Sequence, residues 1–124
     1  MNGCYCNSQK IFKDCCEPYL KGSKQAPTAE ALMRSRYSAY ATHHADYLMA
    51  TTHVSQRDLH SKEDILLWST CNQWQKLEVL KTTATTVEFK AYYLDTNKKT
   101  HIHHEFSTFV QEEGSWYYVD GEYY

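Results

Sequence analysis

The sequence predicts an α+β fold, and two observations carry that expectation. Segments with helical periodicity and no internal Gly or Pro are confined to the front of the 124-residue chain, and beyond Gln75 apolar and polar residues alternate at period two. Helices that precede a run of strands, instead of interleaving with it, predict an antiparallel sheet with helices on one face. The length suits one domain with at most a small appended module.

The first element is a cysteine cluster. Four of the five cysteines, Cys4, Cys6, Cys15 and Cys16, fall within residues 4–16 as Cys-x-Cys, eight intervening residues and Cys-Cys. Disulfides need an oxidising compartment, and Met1-Asn2-Gly3-Cys4-Tyr5-Cys6 has no basic flank leading into an apolar run, so no export signal is expected. Adjacent Cys15 and Cys16 would bridge only through a strained ring. Four soft ligands on a short loop suit a tetrahedral zinc, and Lys10 and Lys13 in that loop offset the negative charge of a zinc tetrathiolate. The alternative is four free thiols on a flexible N-terminus. Cys71 lies in an apolar helical stretch and is expected to be a small buried hydrophobe.

Residues 17–22 form a short turn and residues 23–27 a polar linker ending in Pro27. Thr28 is an N-cap for a helix over residues 29–42, where Leu32, Tyr37 and Tyr40 fall near helical spacing. A second, short helix is expected over roughly residues 44–51 with Tyr47 and Leu48, and Ser61 opens a third with Ile65, Trp68 and Cys71 or Asn72 along one face. Strands follow: one through Leu77 and Val79, one through Val87, Phe89, Ala91 and Tyr93, and one over residues 100–110. Glu113-Gly114 marks a turn into a fourth strand over residues 116–124. Leu32, Tyr40, Leu48, Trp68, Phe89, Phe106 and Val119 are the expected core.

Several function classes drop out on composition. A formal net charge of −2 gives no sign of phosphate-backbone binding, so nucleic acid is not an expected partner, and the apolar runs are too short for a membrane span. No Gly-rich phosphate loop, nucleophile elbow or paired-carboxylate motif is present. Eleven tyrosines fit either a Tyr-lined pocket or a Tyr-rich core.

Cys4-Tyr5-Cys6-Asn7-Ser8-Gln9-Lys10-Ile11-Phe12-Lys13-Asp14-Cys15-Cys16 resembles the SEC-C motif, a zinc-binding module also found at the tail of the SecA translocase. That family usually has Pro at position 5 and Gly-Ser-Gly at 7–9, so Tyr5, Asn7 and Gln9 depart from it while all four ligands remain. Residues 26–40, Asp46-Tyr47-Leu48, Thr51-Thr52-His53, residues 104–109 and residues 114–121 resemble the YchJ-type proteins, which couple a SEC-C motif to a nuclear-transport-factor-2-like (cystatin-like) cone. The resemblance implies a SEC-C motif over residues 1–22, a cone of helices on a curved antiparallel sheet over residues 26–124, and one structural zinc per chain. It further implies a cytoplasmic protein whose knuckle contacts another macromolecule, most simply a protein. The alternative is a small-ligand binder or enzyme using the cone cavity.

Candidate cavity residues are Arg36, Tyr40, His53, Glu105, Ser107 and Asp120. Arg34 and Arg36 are two apart on one helix, so at most one faces the sheet; Glu30 pairs with Arg34 at i−4, and Arg36 lies in the block that the resemblance covers. His101, His103, Glu105 and Ser107 share one strand face. Because alternating sheets commonly keep one wet face, that polar face is expected to meet solvent, the alternative being that it lines the cavity.

Overall fold

The computed structural model describes residues 4–8 and 10–123; residues 1–3, Gln9 and Tyr124, of which Gln9 was expected in the knuckle and Tyr124 in the last strand, lie outside the described residues. The chain runs from the cysteine knuckle through helices α1 (Glu17–Leu20), α2 (Ala29–Thr42), α3 (Ala45–Ala50) and α4 (Lys62–Cys71) to strands β1 (Gln73–Thr82), β2 (Thr86–Leu94), β3 (Thr100–Glu112) and β4 (Ser115–Tyr123). All four strands pair antiparallel in sequence order. This is the expected α+β meander.

Helix α2 starts where Thr28 accepts a hydrogen bond from the Ala31 amide at 3.0 Å, and it ends at His43, whose φ of 66° breaks the helical path. One face of α2 buries Ala29, Leu32, Met33 and Tyr37 against the sheet, together with Leu77, Val87, Ala91 and Phe109. Ser61 caps α4 through the Asp64 amide. Between α3 and α4 a 3₁₀ segment, Val54–Leu59, occupies a stretch in which no element was expected.

Curvature comes from local irregularities. Register shifts fall between Trp74 and Lys76 and between Val79 and Lys81 in β1, and between Thr108 and Phe109 in β3. β4 is further pinned by a parallel bridge: the His53 amide donates to Tyr118 O at 2.8 Å and the Tyr118 amide to Thr51 O at 2.7 Å.

Three expectations need correction. The polar face of β3 is not the wet one: Glu105 and Ser107 are 6% and 1% exposed, because the register sets them opposite Phe89 and Val87 on the face that α2 covers. Phe106 therefore points to the outer face and is only half-buried; Val119, Phe89 and Tyr40 are half-buried too, and Trp68 is 38% exposed. Cys71, at the last position of α4, is exposed rather than buried.

Candidate metal centre and cone cavity

The knuckle is a tight turn followed by two short helical segments. The Cys4 amide donates to Lys10 O at 2.7 Å and the Asn7 amide to Cys4 O at 3.1 Å, which brings Cys4 and Cys6 back over Cys15 and Cys16 at the start of α1. Asn7 sits at φ 61°, a left-handed conformation that Asn tolerates better than most residues. Its Oδ1 also accepts the Leu77 amide at 2.7 Å, tying the knuckle to the free edge of β1. Asn in place of Gly thus keeps the turn and adds an anchor.

All four Sγ atoms lie within 4.8 Å of one another, with Cys6 to Cys15 at 3.7 Å and Cys15 to Cys16 at 3.9 Å. A tetrahedron of sulfurs about 2.3 Å from a central zinc has edges of about 3.8 Å, so the donor set fits the ion in chemistry and in size. Cys4, Cys6 and Cys16 are buried and Cys15 partly so, and Cys71 stands apart from the group. Around the sulfurs, the Ser8 hydroxyl lies 3.0 Å from Cys15 Sγ and the Ser38 hydroxyl 3.6 Å from Cys4 Sγ, both placed to donate to a thiolate. Arg34 donates from Nη1 to Cys6 O at 2.7 Å and from Nε to Glu30 at 2.9 Å. Spacing identified the sulfurs; the Ser8, Ser38 and Arg34 contacts depend on how the knuckle docks on α2.

Without a metal Cys4, Cys15 and Cys16 hold their protons unevenly. Donation from Cys16 and Cys6 pulls Cys4 well down, the same contacts push Cys16 well up, and burial pushes Cys15 up to about 11. Binding a cation must therefore displace protons from Cys15 and Cys16, and acid competes with it.

Between the helices and the sheet lies a cavity of about 320 Å³. Arg36, Tyr40, Glu105 and Ser107 line it. His53 and Asp120 do not: the His53 ring turns toward Glu112 Oε2 at 2.8 Å, and Asp120 pairs with Thr108, whose outward orientation it shares. Trp68, Trp74, Phe89 and Phe109 give the cavity an aromatic wall, with Met33 and Ile65 beside them.

Glu105 is the best-held side chain there. Its Oε2 accepts from the Ser107 hydroxyl at 2.6 Å and the Tyr118 hydroxyl at 2.9 Å, and its Oε1 from His103 Nε2 at 2.7 Å. Burial alone would raise this carboxyl, but the donors from His103, Ser107 and Tyr118 outweigh it and hold the group below its ordinary range. Tyr118 is pushed up by burial and by the Glu105 charge. Its ring also carries the Arg36 guanidinium, 4.6 Å from the ring centre. Gly121, opposite Ser107 on β4, makes room for Glu105: a Cβ there would stand 2.1 Å from Oε2. Period two puts His103 on the face of Glu105, but no periodicity marks that glycine or the role of Tyr118.

Comparison with known proteins agrees with this architecture. Residues 28–121 match the family model described as YchJ, middle NTF2-like domain. A UPF0225 protein of Geobacter sulfurreducens is 39% identical, over 97% of this chain and 78% of its own length. The solution structure of a SEC-C motif containing protein from Rhodopseudomonas palustris superposes with a TM-score of 0.89 at 39% identity, covering 98% of each chain. A crystal structure of a SEC-C motif containing protein from Psychrobacter arcticus gives a TM-score of 0.76 at 31% identity, over 94% of this chain and 78% of that one.

Proposed function

This chain belongs to the YchJ-type, UPF0225 family of SEC-C motif proteins, and on that premise we propose that it is a zinc-binding adaptor whose knuckle docks another macromolecule on the platform of the cone. The observation that carries the metal reading is the set of four sulfurs within 4.8 Å, three of them buried against α2. One zinc per chain, held by Cys4, Cys6, Cys15 and Cys16, closes the loop and leaves no open coordination position, so its role is structural rather than catalytic. Four thiolates would also accept iron, which colour and elemental analysis distinguish from zinc. Reduced thiols are consistent with the cytoplasm. In support of docking, Tyr5, Lys10 and Lys13 are exposed on the knuckle, and this aromatic and basic surface suits a protein partner with acidic character.

Elemental analysis of protein purified without chelator tests the metal. Expected is one zinc per chain, lost in Cys6→Ser. Docking is tested by cross-linking from position 5, which should join the same partner in the zinc-loaded protein and lose it when Lys10 and Lys13 are both changed to Glu. A second reading, that the cone binds a small ligand, is favoured by the cavity with Arg36 and Glu105 inside it.

A further inference from the structure

The polar end of the cavity is unevenly satisfied. Glu105 has three donors on its two oxygens and its carboxylate needs little more. Arg36, only 9% exposed, uses one nitrogen: Nη1 donates to Leu48 O at 3.0 Å and to Thr51 Oγ1 at 2.7 Å, with Thr52 Oγ1 at 3.4 Å. Nε and Nη2, which carry the other three of the five guanidinium N–H groups, have no acceptor among the described residues, and no carboxylate pairs with this cation. Yet among the described residues no occluded side-chain nitrogen or oxygen is left without a partner, so both nitrogens touch open space, and the space that Arg36 borders is the cavity. The Tyr40 hydroxyl, which also has no hydrogen-bond partner among the described residues, lines the same cavity and senses the charges of Arg36 and Glu105.

We infer that the cone binds a small organic monoanion with an apolar or aromatic body, its carboxylate set on the free Nε–Nη2 edge of Arg36 and within reach of the Tyr40 hydroxyl. This rests on the ligand-binding reading of the cavity. The Nε–Nη2 edge is a planar two-donor fork that matches a carboxylate, and burial strengthens such a pair. Charge selects a monoanion: the one arginine at the site compensates one negative charge, the second charge of a phosphate dianion would be buried without a partner, and a cation would meet the unpaired guanidinium. The body is chosen by Trp68, Trp74 and Phe89, with the Trp68 and Trp74 ring centres 4.9 Å apart. A volume of about 320 Å³ admits a molecule the size of an aryl acid.

The test is an NMR titration of the metal-loaded 124-residue chain with phenylacetate and indoleacetate, each against its uncharged amide, following the indole N–H signals of Trp68 and Trp74 and the Nε–H of Arg36. The acids should shift all three signals saturably, and the amides should bind about tenfold more weakly, the loss expected for a charge-assisted pair. Tyr40→Phe, which removes one hydroxyl and no packing, should weaken the acids about fivefold and leave the amides unchanged. Arg36→Lys should abolish the preference for acid over amide. Equal binding of acid and amide would overturn the anion assignment while leaving a ligand-binding cavity in place. No shift with any of the four compounds would overturn both.

Discussion

Gly121→Ala is a substitution whose sign the cavity decides. Gly121 is not among the glycines with positive φ, so replacing it in a strand should on backbone grounds stabilise the fold by about 0.5–1 kcal/mol. The new Cβ, however, would sit 2.1 Å from Glu105 Oε2, 2.7 Å from Cδ and 2.8 Å from Cγ, well inside contact distance of three atoms. The carboxylate cannot swing aside freely, because Ser107 and Tyr118 both hold Oε2. Relief means losing those two bonds, at about 1.5–3 kcal/mol for each hydrogen bond to a charged group, or opening β4 from β3. The clash wins, and a net loss of about 2–5 kcal/mol is expected, a large share of the roughly 5–15 kcal/mol that stabilises a domain. Urea unfolding measures it, with Glu105→Ala as the second arm of a double-mutant cycle. In the Glu105→Ala background the alanine at 121 should cost almost nothing or stabilise. An equal cost in both backgrounds, or no cost in the parent, would refute the assignment of this glycine as the seat of Glu105.

Three further outcomes follow from the same geometry. Because the folded Glu105 carboxyl is held below its ordinary range, its contribution is present above the unfolded carboxylate pKa and is lost as pH falls through the lower folded value; Glu105→Gln should flatten the acid limb of the stability–pH curve, and an unchanged limb would speak against the assignment. Asn7→Ala removes the acceptor of the Leu77 amide and places an alanine at φ 61°, so a loss of about 1–2 kcal/mol and faster hydrogen exchange at the Leu77 amide are expected, with unchanged exchange as the contrary result. Cys71→Ser should leave both metal content and melting temperature unaltered, since Cys71 is exposed and apart from the four clustered sulfurs; any loss of metal would contradict this.

Elements with a local signature were legible in the sequence. Helix α2 spans Ala29–Thr42 because Thr28 caps it and nothing inside breaks it, and Arg34 does pair with Glu30 at i−4. The cysteine spacing marked the donor set because a short loop has few ways to arrange four thiols. Which face of β3 is buried was not legible, since alternation gives the period and not the side, and a wet polar face is the commoner case. Here the buried side is the polar one, because His103 and Ser107 from the same strand face and Tyr118, which only the register with β4 brings near, satisfy Glu105. Asp120 and His53 were close in sequence to true cavity residues, yet the extra residue of β4, Val119, at the register shift opposite Thr108 and Phe109, and the bridge to Thr52 turn them outward. Cys71 was misplaced because α4 buries little more than Ser69, and its last position, where Cys71 stands, is left in solvent together with Leu67.

X-ray absorption at the zinc edge, on protein purified without chelator and assayed for metal in the same sample, tests the central claim most directly. Expected is one zinc per chain with four sulfur neighbours at about 2.3 Å and no nitrogen or oxygen in the first shell, the signal disappearing in Cys6→Ser. A metal content near zero, a first shell containing oxygen or nitrogen, or undiminished zinc in Cys6→Ser would contradict it.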